Sequence, residues 1–417
     1  MSRHVLIVGG GIIGLCTAYY CLERSWRVTV VERQPEEREG CSFGNAGMIV
    51  PSHFVPLAAP GMVALGLKWM GNPESPFYIK PRLSPELFAW GYRFWRASTS
   101  DHVRRAAPLL RDLHLASRAR FEALASLPEF NFGLVQRGLL MLCQTQAALA
   151  EETHAAQRAN DLGVPAEVLD PAGIARLDPA VEMEVRGGVY YPLDCHLTPQ
   201  LLMRNLRDFL RNQGCEFHWN QEVIGWRKER QRIVSLRTTT GDLSADQYVL
   251  CAGSWSPATA RDLRLTIPMQ AGKGYSLTLN APRQLPQLCS ILTEARVAVT
   301  PMGTSLRFGG TMELSGLDLR IDPRRVRGII NAATRYFPAF KAADFADIQP
   351  WSGLRPCSPD GLPYLGRTRH MENLVVATGH AMMGLSLGPI TGEIVADMLS
   401  EEPLPLDVRL CSPDRFE

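Results

Sequence analysis

Four apolar residues, Val5-Leu6-Ile7-Val8, run into a cluster of glycines. So short an apolar run, closed by glycine, predicts a buried strand. Leu15 to Arg24 follows as a helix, and Val28-Thr29-Val30-Val31 as a second buried strand that ends on Glu32. Farther along, Leu109, Leu110, Leu113, Leu115 and Ala116 form an apolar stripe with arginines opposite, the pattern of a half-buried helix. Residues 138–143 read as a strand, and 144–162 as a second long helix stopped by Gly163 and Pro165. Thr198 before Pro199 marks the cap and first turn of a helix that runs to Asn212. Short strands come next at 216–219, 222–227, 233–239 and 247–251. Residues 265–350 alternate strands and turns before a helix at 324–337, which predicts a second, mostly β, domain. A strand at 374–378, a glycine loop and a helix to about Ser400 close the chain.

The first turn carries chemistry. Gly9, Gly11 and Gly14 fit G-x-G-x-x-G between strand and helix. Gly9 permits the tight turn, Gly11 lets backbone approach a pyrophosphate, and Gly14 lets helix pack on strand. The helix start then offers unpaired N–H groups to phosphate. Glu32, eighteen residues beyond Gly14, is placed to accept hydrogen bonds from a ribose diol. This unit fits NAD and FAD alike. Small residues recur at Gly40 to Gly47, at Ala252-Gly253-Ser254-Trp255-Ser256, and at Gly379-His380 through Gly384-Leu385-Ser386. Glycine loops at both ends of the chain suit a bulky, extended FAD.

Composition narrows the picture. Apolar residues make up 46% of the 417, charged residues 21%, and net charge is +2, which gives no reason to expect nucleic acid. The ten cysteines include no C-x-x-C and the nine histidines no H-x-x-x-H, so no metal site is expected. The first strand begins too close to Met1 for a signal peptide, and no apolar run is long enough to span a bilayer. The expected location is the cytoplasm. Residues 60–97 stand apart. Prolines including Pro73 break them up, and Trp69, Phe77, Tyr78, Phe88, Trp90, Tyr92, Phe94 and Trp95 interleave with Lys68, Lys80, Arg82, Arg93 and Arg96. Such a segment suits either a membrane interface at the inner face of the cytoplasmic membrane or a packed cover over a core.

These motifs together resemble the D-amino-acid oxidase-like FAD-dependent oxidoreductases, a family that includes glycine oxidase, sarcosine oxidase and the bacterial D-amino-acid dehydrogenases. The resemblance spans the chain. It rests on the Gly9–Gly14 fingerprint with Glu32, Ser42-Phe43-Gly44-Asn45-Ala46-Gly47, Ala252 to Ser256, Gly353-Leu354-Arg355-Pro356 with Ser358-Pro359-Asp360-Gly361, and the Gly379–Gly384 loop. Pro56 to Gly61 and Lys273-Gly274-Tyr275-Ser276 look most like the dehydrogenases. Pro51-Ser52-His53-Phe54 looks like the branch acting on D-proline or cis-4-hydroxy-D-proline.

The resemblance implies an α/β fold: a discontinuous Rossmann-type FAD-binding domain (1–52, 192–262, 352–417) and an α+β substrate domain on an antiparallel sheet (53–191, 263–351). It assigns Gly9, Gly11, Ile12, Ile13, Gly14, Glu32 and Arg33 to the ADP half of FAD, and Val223 to the adenine. Ser42, Asn45, Ala46, Gly47 and Met48 would line the pyrophosphate and flavin edge. Ala252, Gly253, Trp255, Gly353 and Gly379 would stand at further close approaches, and Gly384, Leu385 and Ser386 would aim N–H groups at flavin N1 and O2. Arg355 matches the arginine that grips a substrate carboxylate, with His53, Tyr275 and His380 as pocket-wall candidates. Glycine oxidase has an arginine where this chain has Met382. Sarcosine oxidases tether flavin through a cysteine where this chain has Gly353, so FAD is expected to be non-covalent. The implied reaction is oxidative deamination of a D-amino acid, hydride leaving the α-carbon for flavin N5, with electrons passed to a quinone or an electron-transfer partner. An oxidase of glycine or sarcosine type that uses O2, and a non-catalytic flavoprotein subunit of an electron-transfer complex, are the alternatives.

Overall fold

The strands sort into two large sheets in the computed structural model, which describes residues 3–37, 40–70, 72 and 74–417. The first sheet has six strands in the order Tyr364–Thr368, Met371–Thr378, Gln247–Leu250, His4–Val8, Arg27–Val31, Glu216–His218. All neighbours run parallel except the outermost strand, Tyr364–Thr368. Val5 to Val8 sit at its centre with at most 4% exposure, which is why that strand reads as unbroken apolar sequence. Helices Ile12–Glu23 and Gly388–Ser400 pack together on one face, so closely that a Cβ on Gly392 would lie 2.5 Å from the Cys16 carbonyl oxygen.

The second sheet has nine strands. Its path is Trp351–Cys357, Gln270–Leu279, Ser305–Leu314, Val297–Met302, Cys289–Leu292, Leu139–Cys143, Gly187–Tyr191, Glu167–Leu169, with Phe77–Ile79 beside Ser305–Leu314. It is antiparallel but for two pairings, Cys289–Leu292 with Leu139–Cys143 and Ser305–Leu314 with Phe77–Ile79. Helix Pro323–Tyr336 covers its outer face over Phe308, Phe337 and Phe340. Strand Trp351–Cys357 crosses the boundary expected at 352. Its ladder runs from Gln270 opposite Cys357 to Ser276 opposite Trp351, so it is a substrate-sheet strand throughout.

Two local readings change. Thr198 occupies the cap position of helix Pro199–Asn212, but its side chain accepts no hydrogen bond there. Residues 60–97 are split between cover and surface. On helix Pro85–Ala97, Trp90 is buried and stacks on Phe94, whereas Phe88, Tyr92 and Trp95 are 65%, 58% and 61% exposed. Gly71 and Pro73 lie outside the described residues, as do Met1 and Ser2. Among the described residues no helix is long and apolar enough to cross a membrane.

Candidate functional site

The glycine turn has three separate physical reasons. Gly9 adopts φ +109°, and a Cβ there would lie 2.5 Å from the Cys251 carbonyl oxygen. A Cβ on Gly14 would lie 1.9 Å from the Gly9 carbonyl oxygen, so Gly14 belongs to helix–strand packing. Gly11 is crowded by nothing nearer than Ser42 Oγ at 3.5 Å and faces open space. Ile12 donates its N–H to Ser42 Oγ at 3.0 Å, while the N–H groups of Gly11 and Ile13 meet no acceptor among the described residues. Glu32 accepts from the N–H of Gly10 at 2.8 Å and of Gln34 at 2.9 Å. A carboxylate has roughly four acceptor sites, so about two remain for a diol.

These groups open on a cavity of about 400 Å³. Gly9, Gly11, Ile12, Ile13, Glu32 and Arg33 line one end, with Val223, Ala252, Gly253 and Trp255 beside them. The Arg33 guanidinium lies 3.9 Å over the Trp255 ring, a cation–π pair that closes this end. Ser42, Asn45, Gly384, Leu385, His380 and Arg355 line it as well. The N–H groups of Gly384, Leu385 and Ser386 have no acceptor among the described residues. Two sets of unpaired amides in one cavity fit an extended dinucleotide such as FAD, with phosphate at the first set and an electron-poor ring edge at the second.

Several expected residues act behind this wall. Gly47 adopts φ +75°, and its carbonyl accepts from the Leu197 N–H. Met48 pairs with His196 in a two-stranded ladder, and Ala46 packs on Gly309. Asn45 Oδ1 accepts from the Gly47 N–H, fixing the loop from within. The buried Arg307, which sequence reasoning missed, holds the loop from outside by donating to the carbonyls of Phe43 and Asn45. Gly353 lies under the Trp351 ring, which also covers Gly44; a Cβ on either would lie 2.2 Å from that ring. Gly379 gives way to Tyr364. The Ser386 hydroxyl turns inward, accepting from the Val50 N–H and bonding His114 Nδ1.

Tyr275 leaves the site. Register sets Gly272 opposite Arg355, so Tyr275, three residues on, faces the other side of the sheet. There its hydroxyl donates to Glu313 at 2.5 Å, and Lys273 pairs with the same carboxylate at 3.3 Å. Arg355 stays. Its guanidinium lies against Gly274, where a Cβ would come within 2.2–2.4 Å of three of its atoms. It donates to the Thr311 carbonyl at 2.5 Å, and the ionisable groups beside it are the neutral thiols of Cys41 and Cys357, with no carboxylate partner among the described residues. Burial presses its pKa below the ordinary arginine value. Thr311 stands at φ +69°, a costly conformation for a β-branched residue, at an irregularity in the ladder. The distortion turns its carbonyl toward Arg355.

His53 does not line this cavity. Its Nδ1 lies 2.9 Å from Ser52 Oγ, and Ser52 donates both its hydroxyl (2.5 Å) and its N–H (3.0 Å) to Asp194. His380 lines the wall but is buried, with Nε2 bonded to Thr391. Asp194 carries no motif signal; only the fold joins it to Ser52.

A family described as FAD dependent oxidoreductase matches residues 4–398. A D-amino acid dehydrogenase of Xanthobacter autotrophicus is 33% identical over 421 residues, covering 99% of both chains. Another, of Methylobacterium radiotolerans, is 33% identical over 95% of this chain and 96% of its own. Among solved structures, glycine oxidase from Geobacillus kaustophilus superposes with TM-score 0.79 at 23% identity, covering 99% of each chain. L-proline dehydrogenase from P. horikoshii does so with TM-score 0.75 at 18% identity, over 100% of this chain and 98% of its own. At those identities the two structures speak to fold alone.

Proposed function

Since the chain belongs to the FAD dependent oxidoreductase family, we propose that it oxidises a D-amino acid at the α-carbon as a dehydrogenase. One observation carries the reading: a half-buried guanidinium with no carboxylate partner among the described residues lines the same cavity as the dinucleotide cradle. A charge drawn out of water and left unpaired is costly unless a ligand pairs it. A planar fork held flat on Gly274 suits a substrate carboxylate, which it can bind through two parallel hydrogen bonds.

Bound in the cradle, FAD supplies the hydride acceptor. The amides of Gly11 and Ile13 would hold its pyrophosphate, Glu32 its ribose, and the amides of Gly384 to Ser386 its pyrimidine edge. Arg355 fixes the carboxylate, the Thr311 carbonyl fixes Arg355, and the substrate sheet excludes water, so the α-C–H is presented in one orientation. The curated relatives named above are D-amino acid dehydrogenases. We take D-proline or cis-4-hydroxy-D-proline as the preferred substrates, from the Pro51-Ser52-His53-Phe54 segment.

The acceptor in this reading is a quinone reached at a lipid surface. Phe88, Tyr92 and Trp95 stand at helical spacing on one exposed stripe, and residues 60–97 hold five basic and two acidic side chains. Co-sedimentation with anionic vesicles at low salt tests this; protein left in the supernatant rejects it. FAD is held without a covalent bond, so acid precipitation should leave yellow colour in the supernatant. The function itself is tested by anaerobic mixing with D- and L-amino acids. Bleaching of the flavin by D-proline, with turnover supported by a quinone analogue, is the expected result. Turnover supported by O2 alone would point to an oxidase.

A further inference from the structure

We propose that Lys273, Glu313 and Tyr275 form a buried clamp that sets the register of the strand carrying Thr311 and so aims Arg355 at the substrate carboxylate. All three are positioning residues that act through Thr311, and the proposal rests on the amine-oxidising reading above.

The clamp closes over an extra residue. Lys273 stands opposite Glu313 and Tyr275 opposite Gly310, so strand Gln270–Leu279 advances by two residues where strand Ser305–Leu314 advances by three. Thr311 and Met312 share the place opposite Gly274, which makes a β-bulge. Thr311 takes the left-handed conformation there, at φ +69°, where glycine is the usual residue. The outer neighbours of the strand do not fix it. Val297–Met302 pairs with Ser305–Leu314 only as far as Gly309, and Phe77–Ile79 only from Met312. Thr311 falls in the gap between them, and its carbonyl accepts from Arg355.

Bonds to one carboxylate span this bulge. Lys273 and Tyr275 flank Gly274 and face the side of the sheet away from Arg355. Glu313 Oε1 lies 3.3 Å from Lys273 Nζ, and Glu313 Oε2 accepts from the Tyr275 hydroxyl at 2.5 Å. The Tyr275 hydroxyl thus reaches back past its register partner, Gly310, and across the extra residue. Lys273 also donates to the Arg320 carbonyl at 2.8 Å. All three side chains are buried, Lys273 at 2% exposure. A slip of one residue between the strands would turn Glu313 to the opposite face. The Lys273 ammonium would then stay in the core without its counter-charge, which is costly. An apolar trio of the same volume could hold the fold, but it would let the bulge move along the strand. The polar trio admits one register, and in that register the Thr311 carbonyl meets Arg355.

The test measures binding apart from turnover. Holoenzyme is titrated with cyclopentanecarboxylate, an acid with no amine to oxidise, and with its neutral amide, and binding is read from the flavin absorbance. Tyr275→Phe keeps the ring and loses one bond of the clamp. Lys273→Met combined with Glu313→Gln removes both charges together and leaves no lone buried ion. Flavin-loaded, each variant should bind the carboxylate about tenfold more weakly, the scale on which small misplacements act, and the amide as wild type does. KM for D-proline should rise by the same factor, with a smaller change in kcat. In an Arg355→Ala background the same substitutions should weaken carboxylate binding no further, because nothing is left to aim. A trio that only stabilises the fold predicts lower Tm with carboxylate affinity intact, or equal weakening for acid and amide; either result overturns the clamp. So does an additive loss in the Arg355→Ala background. Wild-type flavin that responds neither to cyclopentanecarboxylate nor to any D-amino acid would overturn the functional reading, and the clamp with it.

Discussion

The guanidinium of Arg355 lies flat because position 274 has no side chain. Two outcomes follow. Arg355→Ala should keep FAD and raise KM about ten- to a hundredfold or more, since a charged hydrogen bond contributes roughly 1.5–3 kcal/mol. Arg355→Lys should recover only part, for an ammonium has no fork. Gly274→Ala leaves every charge in place but sets a methyl 2.2 Å from the guanidinium, which must move. Its KM should rise toward that of Arg355→Lys with flavin content unchanged. Steady-state kinetics beside the flavin-to-protein absorbance ratio checks all three, and an unchanged KM in Arg355→Ala would remove that residue from the site. The place of Arg355 on the cavity wall was legible as a motif. The contact of Gly274 with it was not, because the two are eighty-one residues apart in sequence and adjacent only through strand register.

Between elements, the contact that matters most is the one the glycines allow. Helix Ile12–Glu23 rests on the first strand at Gly14 and on helix Gly388–Ser400 at Gly392. Gly14→Ala must push helix from turn; overpacking of this kind costs about 1–3 kcal/mol, and it displaces the amides of Gly11 and Ile13 as well. Lower Tm together with lost FAD is the expected outcome, measured by melting and flavin release. Element positions were largely legible from hydrophobic spacing: the first strand, both long helices and the strand at Met371–Thr378 fall where the pattern sets them. Facing was harder. Lys273-Gly274-Tyr275 reads as one motif, yet a strand turns alternate side chains to opposite faces, and Tyr275 goes to the outer core with Glu313. Nor does any local pattern bring Asp194 to Ser52; that pairing follows from the ladder of Met48–Ile49 with Cys195–His196.

Across the whole molecule, buried histidines set the response to acid. Burial holds His53 and His196 at about 4 and His114 and His380 at about 3, below the ordinary 6.5. Between those values and 6.5 the unfolded chain binds more protons, so stability falls as pH drops through that window. Asp194, raised to about 7, has the opposite sign: its contribution is lost as pH rises from about 4 through 7. Glu152, Asp178 and Asp397 are raised like Asp194. His4, however, is lowered like the buried histidines, and the depressed carboxyls of Glu294, Asp318, Asp322, Asp344, Asp407 and Glu417 act in the same direction. Tm should therefore decline from pH 6.5 toward 4, with proton uptake on unfolding. Asp194→Asn should flatten the remaining slope up to 7. A Tm that rises on acidification would contradict this. The six-stranded sheet carries a consequence of another kind. Its centre, His4–Val8, comes early in the chain; one edge, Tyr364–Thr368 with Met371–Thr378, and the Leu385 wall come late. Synthesis proceeds from the first to the last, so the glycine turn leaves the ribosome long before its opposite wall exists. Flavin capture thus waits until the segment carrying Gly384 to Ser386 has emerged. A nascent chain stalled before Gly384 should carry no flavin absorbance, and one that has exposed Ser400 should.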